Sequence, residues 1–234
     1  MDISVIVCTL NEEKRIGDCV KSIQKQKFSG SFEVIVADGN SEDKTVEIAK
    51  SLGAKTIKEK IRRIAAERNA GAKIAEGKYF LFTDADAIVA ENWVQENVNF
   101  FEKNPEVIGQ YGSVFFSDVS SSEKKISSTV MPLFMSLMAA IGMHNPIGSN
   151  IAVRKESFRK INGFDSSYVT CEDLDLFRHL KKIGKIKYNK KSIVEVSARR
   201  VKAWGYFYFI FFHLKNAVNF YFFNKASRKY ENIR

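Results

Sequence analysis

The chain carries acidic residues at three places where carboxylates could act together. An apolar run typical of a buried strand, residues 79–83, ends in Asp84-Ala85-Asp86. A second apolar run, residues 32–37, ends in Asp38, and a third acidic cluster occupies residues 171–175. Strand ends in an open α/β sheet are where a metal ion and a phosphorylated ligand bind. The pattern therefore predicts a metal-assisted transferase.

Asp84 and Asp86 are the predicted metal ligands. In an extended segment, residues two apart point to the same side, so both carboxylates can face one ligand. A hard divalent cation such as Mg²⁺ or Mn²⁺ suits oxygen ligands and would also hold diphosphate oxygens. A solvated turn with a helix-capping Asp is the alternative, and the position after a buried strand favours the metal.

Two further acids have predicted roles of their own. Asp38 precedes a Gly39 turn, where backbone can approach a ligand, and its carboxylate could accept a nucleobase N–H. A turn with a helix cap is the alternative there. Asp173 is predicted to be the general base for an attacking hydroxyl, with Glu172 as its support. Acids in a first helical turn also complement the helix dipole, which is the structural alternative.

Three arginines are candidates for binding the anionic ligand. Arg68, on a helix before the fourth strand, could pair with nucleotide phosphate or with a carboxylate. Its alternative is an exposed basic helix face. Arg199 and Arg200 could neutralise a departing diphosphate, or could form the basic flank of a membrane segment.

The elements that must position these residues alternate over the first half of the chain. Strands are predicted at 3–8, 32–37, 54–58 and 78–83, with helices at 12–26, after Ser41 and at 62–76. This alternation predicts βαβ units with right-handed crossovers, so the carboxyl ends of the strands share one edge. Further along, the predicted elements are a helix near 91–103, a strand at 107–116, a flexible Ser-rich loop at 117–128, an apolar segment at 129–143, a strand at 147–153, helices near 155–161 and at 172–183, and short strands to about 196.

Composition narrows the choice of ligand and compartment. The 234 residues have a formal net charge of +10, which favours nucleic acid, nucleotide diphosphates or an anionic membrane. We expect nucleotide diphosphates and an anionic membrane as partners, and no nucleic acid.

The number of cysteines is odd, three, and they lack metal-ligand spacing, which argues against a disulfide framework and for a reducing compartment. Residues 1–7 contain an acid and only a short apolar run, so no secretion signal is predicted.

Residues 203–223 form an aromatic segment between basic flanks that include Lys225, Arg228 and Lys229. About 20 apolar residues can span a bilayer, but Lys215, Asn216 and Asn219 interrupt this one. An interfacial helix on an anionic leaflet is the prediction. The alternatives are a membrane span, or a helix packed on the domain or on a second copy of the chain. The prediction places the protein in the cytoplasm, peripherally on the inner face of the cell membrane.

Taken in their order along the chain, the motifs of residues 2–200 resemble those of family 2 glycosyltransferases with the GT-A fold. The resemblance rests on segments whose order and spacing are specific together: residues 4–13, 36–45, 68–71, the Asp84/Asp86 pair, 148–154 with 163–165, and Glu172-Asp173. It implies an α/β fold with a Rossmann-like, mostly parallel central sheet flanked by helices and a C-terminal aromatic helix. The implied organisation is a catalytic domain at 1–200, divided into a nucleotide-sugar half (1–116) and an acceptor half (117–200), followed by a basic aromatic helix at 201–234.

The resemblance also assigns roles to individual residues. Thr9, Leu10 and Glu12 would contact the nucleoside, Asp38 the base, and Asp84 the ribose or metal. Asp86 would bind the metal, Ser149 and Asn150 would border the donor sugar, and Asp173 would act as base. Ala37 stands where many relatives carry a second acid. The Gln-x-x-Arg-Trp motif of processive relatives is absent, which favours transfer of a single sugar.

The predicted function is an inverting, metal-dependent, hexosyltransferase-like enzyme that uses Mg²⁺ or Mn²⁺. It would move one sugar from a UDP- or GDP-linked donor to a hydroxyl or phosphate acceptor, either a glycan or a lipid-linked group. Two alternatives stay open: a metal-dependent nucleotidyltransferase, and a non-catalytic sugar-nucleotide-binding or membrane scaffold protein. The absence of a Gly-rich loop after the first strand disfavours the nucleotidyltransferase. A homo-oligomer is compatible with the sequence.

Overall fold

The structure is a computed structural model that describes residues 1–228 and 230. Its strands are β1 (Ile3–Thr9), β2 (Phe32–Asp38), β3 (Lys55–Lys58), β4 (Tyr79–Asp84), β5 (Ala87–Val89), β6 (Val107–Phe116), β7 (Ile151–Arg154) and β8 (Lys185–Val196). Its helices are α1 (Ile16–Gln24), α2 (Thr45–Ser51), α3 (Ile64–Ile74), α4 (Trp93–Lys103), α5 (Ser121–Ala140), α6 (Lys155–Lys160), α7 (Glu172–Ile183), α8 (Arg199–Trp204) and α9 (Tyr206–Phe223). A short 3₁₀ turn, Gly148–Asn150, precedes β7.

The strands form one sheet in the order β3-β2-β1-β4-β7-β6-β8-β5. The first four neighbours are parallel, as are β6 and β8, whereas β7 and β5 pair antiparallel with their neighbours. The predicted mostly parallel α/β sheet is confirmed. Because β2, β1 and β4 are adjacent and parallel, their carboxyl ends lie side by side at one edge.

The two faces of the sheet are covered by different helices, and the pattern of β1 shows why. Val5 and Val7 pack with α1 and α4 on one face, whereas Ile6 packs with α3 and α7 on the other. Alternate side chains of a strand point to opposite faces, so a strand buried on both faces needs an unbroken apolar run. Each fully buried Val or Ile stabilises the fold by about 1.5–3 kcal/mol.

Two predicted elements were wrong, and a third is preceded by an additional helix. Residues 117–128 are not a flexible loop, because α5 begins at Ser121 with a capping box between Ser120 and Glu123. Ser followed three residues later by Glu is itself a helix-start signal. The short strands before residue 196 are one long strand, β8, which pairs with β6 across a bulge. The predicted C-terminal aromatic helix is confirmed as α9. The shorter helix α8 precedes it and is separated from it at Gly205, whose φ of 77° few other residues adopt.

Helix α9 packs on the domain with one side only. Phe220 is buried against Cys171 and Leu174, and the side chain of Asn216 donates to Thr170 at 2.9 Å. Most other aromatic side chains of α9 face outward, with Phe207 86% exposed. Within residues 1–228 and 230, no helix combines the length and apolarity needed to cross a bilayer. Lys229 and residues 231–234 of the predicted basic tail lie outside the described residues.

Candidate active site

The sheet register brings the predicted donor-binding acids to one edge. Thr9 pairs with Asp38 across β1 and β2, and Cys8 pairs with Asp84 across β1 and β4. Parallel neighbours lie about 4.8 Å apart. Asp38, Thr9 and Asp84 therefore stand at adjacent strand ends, as the sequence predicted.

Arg68 is the buried centre of this edge. It is 1% exposed; its Nη1 donates to Glu172 at 2.7 Å and its Nη2 to Asp84 at 3.1 Å. The alternative of an exposed basic face is therefore wrong, whereas pairing with carboxylates was among the predicted roles. Burial of such charges costs several kcal/mol per ion, and only well-placed partners offset this cost.

The backbone of the 3₁₀ turn lies directly against the Arg68 guanidinium. A Cβ placed on Gly148 would come within 2.3 Å of an Arg68 Nη atom. Since two ion pairs hold the guanidinium, it cannot swing aside, and only glycine fits at this position. This role of Gly148 was not predicted from sequence, because nothing local to residue 148 signals a partner 80 residues away.

Arg199 forms a second bridge between carboxylates, those of Glu12 and Asp86. Its guanidinium makes two hydrogen bonds to the Glu12 carboxylate and lies 3.1 Å from Asp86. Asp86 is in the turn between β4 and β5, so the predicted extended geometry of Asp84-Ala85-Asp86 is wrong. Burial, and then the charge of Asp84, raise the pKa of Asp86 to about 6.

Asp173 lies on the other side of Arg68, in the first turn of α7. Its carboxylate accepts hydrogen bonds from the backbone N–H of Gly148 at 2.9 Å and of Leu174 at 2.8 Å. Burial, and then the charge of Glu172, raise the pKa of Asp173 to about 7. Cys171 precedes the helix with φ 64°, a left-handed conformation that is uncommon outside glycine and often marks functional sites. A carboxylate with this pKa is suited to general-base chemistry near neutral pH.

The charges of the side chains in the site bear on whether a metal ion could bind there. In the described part of the chain, the five carboxylates of Glu12, Asp84, Asp86, Glu172 and Asp173 lie near three guanidinium groups, those of Arg15, Arg68 and Arg199. Among residues 1–228 and 230, no three His, Cys, Asp or Glu side chains group as a metal site. Mg²⁺ is commonly held by one or two carboxylates plus substrate phosphates. The excess of negative charge and the Asp84/Asp86 pair fit that arrangement.

The residues predicted to bind the nucleoside have differing surroundings. Asp38 is fully buried, and its Oδ2 accepts from the Ser41 backbone N–H at 3.0 Å. Thr9 is also buried, and its Oγ1 has no hydrogen-bond partner within the described part of the chain. Leu10 is half-buried in the loop that follows β1. An unsatisfied buried hydroxyl requires an explanation, and Thr9 stands next to Asp38 where the nucleoside is predicted.

The side chain of Asn150 is fully hydrogen-bonded, and that of Arg200 lies against an aromatic ring. The Asn150 amide donates to the carbonyls of Ser113 and Ser192 and accepts from Trp93 and Ser192. These bonds use both of its N–H groups and both lone pairs, so a donor sugar would meet its backbone. Arg200 stacks on Tyr230, 4.0 Å from the ring centroid. Ser149 is buried in the same 3₁₀ turn as Gly148.

Two of the segments that carry the family resemblance, residues 68–71 and 163–165, are joined by hydrogen bonds. Asn69 donates to the Phe164 carbonyl at 2.8 Å and accepts from the Phe164 N–H at 3.0 Å. This pair of bonds anchors α3, and with it Arg68, to the loop before α7. The site is thus built from strand ends, α3 and α7.

The sequence profile described as Glycosyl transferase family 2 matches residues 4–162. The chain belongs to this family. One curated relative is the dolichyl N-acetyl-α-D-glucosaminyl phosphate 3-β-D-2,3-diacetamido-2,3-dideoxy-β-D-glucuronosyltransferase of Methanococcus voltae, 29% identical, with 82% of this chain and 65% of the relative covered. Another is the glucosyl-dolichyl phosphate glucuronosyltransferase of Haloferax volcanii, 26% identical, with 71% and 57% covered. The chain spans about three-fifths of the length of such relatives.

Solved structures show the same fold. The mannosyltransferase PcManGT of Pyrobaculum calidifontis, in complex with GDP-Man and Mn²⁺, has a TM-score of 0.67 at 18% identity, covering 92% of this chain and 60% of that one. S. aureus TarS 1–349 in complex with UDP-GlcNAc has a TM-score of 0.65 at 21% identity, covering 84% and 58%. The predicted GT-A-type fold is confirmed.

Proposed function

We propose that the protein is an inverting, metal-dependent glycosyltransferase that moves a single sugar from a nucleoside-diphosphate sugar to an acceptor hydroxyl. The observation that carries this is the Arg68 bridge, which places the Asp84/Asp86 side of the site and the Glu172-Asp173 side around one guanidinium. Family membership and the donors named in the solved complexes support it.

In the proposed reaction, Asp173 takes the proton of the acceptor hydroxyl as its oxygen attacks the anomeric carbon. The bond between that carbon and the diphosphate oxygen breaks, and the nucleoside diphosphate leaves with the bonding electron pair. Attack opposite the leaving group inverts the anomeric centre. The raised pKa of Asp173 makes it a stronger base than an ordinary carboxylate.

The other residues would bind the donor. Thr9, Leu10 and Glu12 would contact the nucleoside and Asp38 the base, whereas Ser149 and Asn150 would border the sugar. Asp86, with Asp84, would hold Mg²⁺ or Mn²⁺, which when bound neutralises charge on the diphosphate. Arg199 and Arg200 would add positive charge at the leaving group. In this organisation residues 1–116 bind the donor, residues 117–200 form the acceptor side, and residues 201–234 associate with membrane.

The acceptor is proposed to be lipid-linked and presented at the cytosolic face of a membrane. Exposed apolar side chains cover α9 and much of α5, for example Phe207, Phe222 and Leu133. Both curated relatives described above are named for dolichyl-phosphate-linked sugars. The net charge of +10 favours an anionic membrane surface.

Donor turnover tests this function directly. The full chain is incubated with a panel of UDP- and GDP-sugars, with Mn²⁺ or with EDTA, and release of nucleoside diphosphate is followed. Metal-dependent release is expected, with strong loss in Asp86→Ala and no comparable loss in Glu91→Gln, which removes an exposed carboxylate paired with Lys27. Release of pyrophosphate instead would indicate a nucleotidyltransferase. Binding without any release, with or without lipid-linked acceptors, would indicate a non-catalytic protein.

A further inference from the structure

A cavity of about 310 Å³ opens beside α7, away from the donor edge of the sheet. Its walls come from α7, from the segment that follows α5, from the start of β8 and from α9. The apolar floor consists of Leu174, Phe177 and Ile186, all buried. We call this space the α7 cavity.

The rim of the α7 cavity is basic. Arg178, Lys181 and Lys182 line it, and none of the acidic residues that the structure describes does. Asp175 pairs with Arg178, and Arg178 also lies over the Phe220 ring at 4.5 Å, which fixes its orientation.

Within residues 1–228 and 230, neither Lys181 nor Lys182 forms a salt bridge. Burial, and then the positive charge of Lys181, lower the pKa of His144 on the opposite wall. The Lys181 ammonium donates to the Gly142 carbonyl at 3.1 Å. Over an apolar floor, these ammonium groups complement an anion attached to an apolar chain.

The proposed base and several residues that line the α7 cavity lie on the same helix. Asp173 is in the first turn of α7, and the cavity-lining residues Leu174, Phe177, Arg178 and Lys181 follow at the three- and four-residue spacing of one helix face. With a rise of 1.5 Å per residue, Arg178 lies roughly 7 Å and Lys181 roughly 12 Å along the axis from Asp173. These cations are therefore offset from the base along α7, towards the C-terminus of the helix.

The surroundings of Asp173 disfavour a phosphate as the reacting group. Glu172 adjoins Asp173, and its charge helps to raise the pKa of Asp173. A second anion brought against this pair would be repelled. This favours a neutral hydroxyl beside Asp173 and a phosphate at the basic rim.

An apolar path leads outward from the α7 cavity. Gly142 and His144 follow α5, whose last turns expose Leu137 and Ile141. On the other wall, the Tyr221 hydroxyl of α9 donates to the His144 carbonyl, and Phe222 beside it is exposed. The exposed faces of α5 and α9 thus border the cavity mouth.

We propose that the α7 cavity binds the phosphate of a lipid-phosphate-linked sugar, with the lipid chain leaving over α5 and α9 and the sugar hydroxyl reaching Asp173. This rests on the proposed function and narrows its acceptor to a hydroxyl on a sugar that a phosphate joins to a lipid. The bare lipid phosphate would bind at the same place without being glycosylated. An enzyme that attaches a first sugar to a lipid phosphate must then supply this acceptor.

Binding of three probes to the full chain tests the site: farnesyl phosphate, farnesol and inorganic phosphate, each below its aggregation limit, followed by calorimetry. Farnesyl phosphate is expected to bind at least tenfold more tightly than either other probe, because only it joins an anion to an apolar chain. Lys181→Glu/Lys182→Glu should weaken it by about tenfold or more. Lys190→Glu/Lys191→Glu, an exposed lysine pair on β8, should change it less than about twofold.

Donor turnover separates this proposal from the proposed function. Release of nucleoside diphosphate without acceptor should be unchanged in Lys181→Glu/Lys182→Glu, and farnesyl phosphate should not become glycosylated. Equal binding of farnesol and farnesyl phosphate, or binding unaffected by Lys181→Glu/Lys182→Glu, would overturn the site. Glycosylation of farnesyl phosphate itself would overturn the assignment of a sugar-linked acceptor. Absence of donor turnover, with the binding pattern intact, would remove the proposed function and leave the lipid-phosphate site.

Discussion

Arg68 of α3 and Glu172 of α7 are 104 residues apart in the chain and 2.7 Å apart in the structure. The same guanidinium reaches Asp84 at the end of β4. It joins the side of the site that is proposed to hold the metal and diphosphate to the side that is proposed to deprotonate the acceptor. The position of Asp173 relative to the donor therefore depends on one buried side chain.

Replacing Arg68 by Met should destabilise the protein strongly. Glu172 and Asp84 would lose their buried partner, which typically costs about 3–5 kcal/mol. A domain of this size loses roughly 2–4 °C of Tm per kcal/mol, so thermal unfolding followed by circular dichroism should show a drop of about 10 °C. The matched control is Arg62→Met, which breaks an exposed pair with Glu42 and should cost under about 1 kcal/mol. Equal shifts in both variants would contradict the bridging role.

The rate of transfer should depend on the ionisation of Asp173. Its pKa of about 7 means that the base is protonated as pH falls through 7, so kcat/KM should fall about tenfold per pH unit below that value. Unfolding does not explain such a fall. A carboxyl whose pKa is raised on folding binds its proton more tightly when folded, so its contribution to stability increases as pH falls from 7 towards 4.

Glu172→Gln should move this acidic limb to lower pH. The substitution removes a negative charge that raises the pKa of Asp173, and a shift of roughly one unit is expected. Glu156→Gln, on the exposed side of α6, should leave the profile in place. A profile that does not move in Glu172→Gln would mean that another group titrates.

Arg199 should oppose metal binding at Asp86 while assisting the departure of the diphosphate. It lies 3.1 Å from Asp86, so Arg199→Met should tighten Mn²⁺ binding by roughly tenfold and lower kcat by about a hundredfold. Calorimetric Mn²⁺ titration and steady-state kinetics measure the two effects. Arg15→Met is the control, since Arg15 contacts Glu12 at 3.8 Å and should have a much smaller effect. Weaker Mn²⁺ binding in Arg199→Met would contradict the prediction that Mn²⁺ and Arg199 compete for the Asp86 carboxylate.

The exposed aromatic face of α9 should carry the membrane affinity. Phe207→Ser/Phe211→Ser removes two outward rings and should lower the fraction that floats with anionic liposomes by about tenfold or more, at roughly 1.5–3 kcal/mol for each ring. Ile61→Ser removes an exposed apolar side chain elsewhere and should float like the parent chain. Identical flotation of the parent chain and the double variant would remove the idea that α9 binds membrane.

The sequence by itself determined the sheet and the edge at which the site lies. An apolar run that is buried on both faces can only be an interior strand, and the carboxyl ends of parallel strands must share one edge. Asp38 and Asp84 were therefore predictable as neighbours from local patterns alone. The capping signal of Ser120 and Glu123 was equally readable, and the Ser-rich composition around it led to the wrong prediction of a loop.

Only the tertiary structure decided which charges meet. That Arg68 is buried between Asp84 and Glu172, that Gly148 must lack a side chain to admit it, and that Arg199 reaches back 187 residues to Glu12 depend on long-range packing. Electrostatic energies depend on distance and burial, which no local pattern contains. The α7 cavity follows the same rule, because its floor, basic rim and apolar mouth come from elements that are adjacent only after the chain has folded.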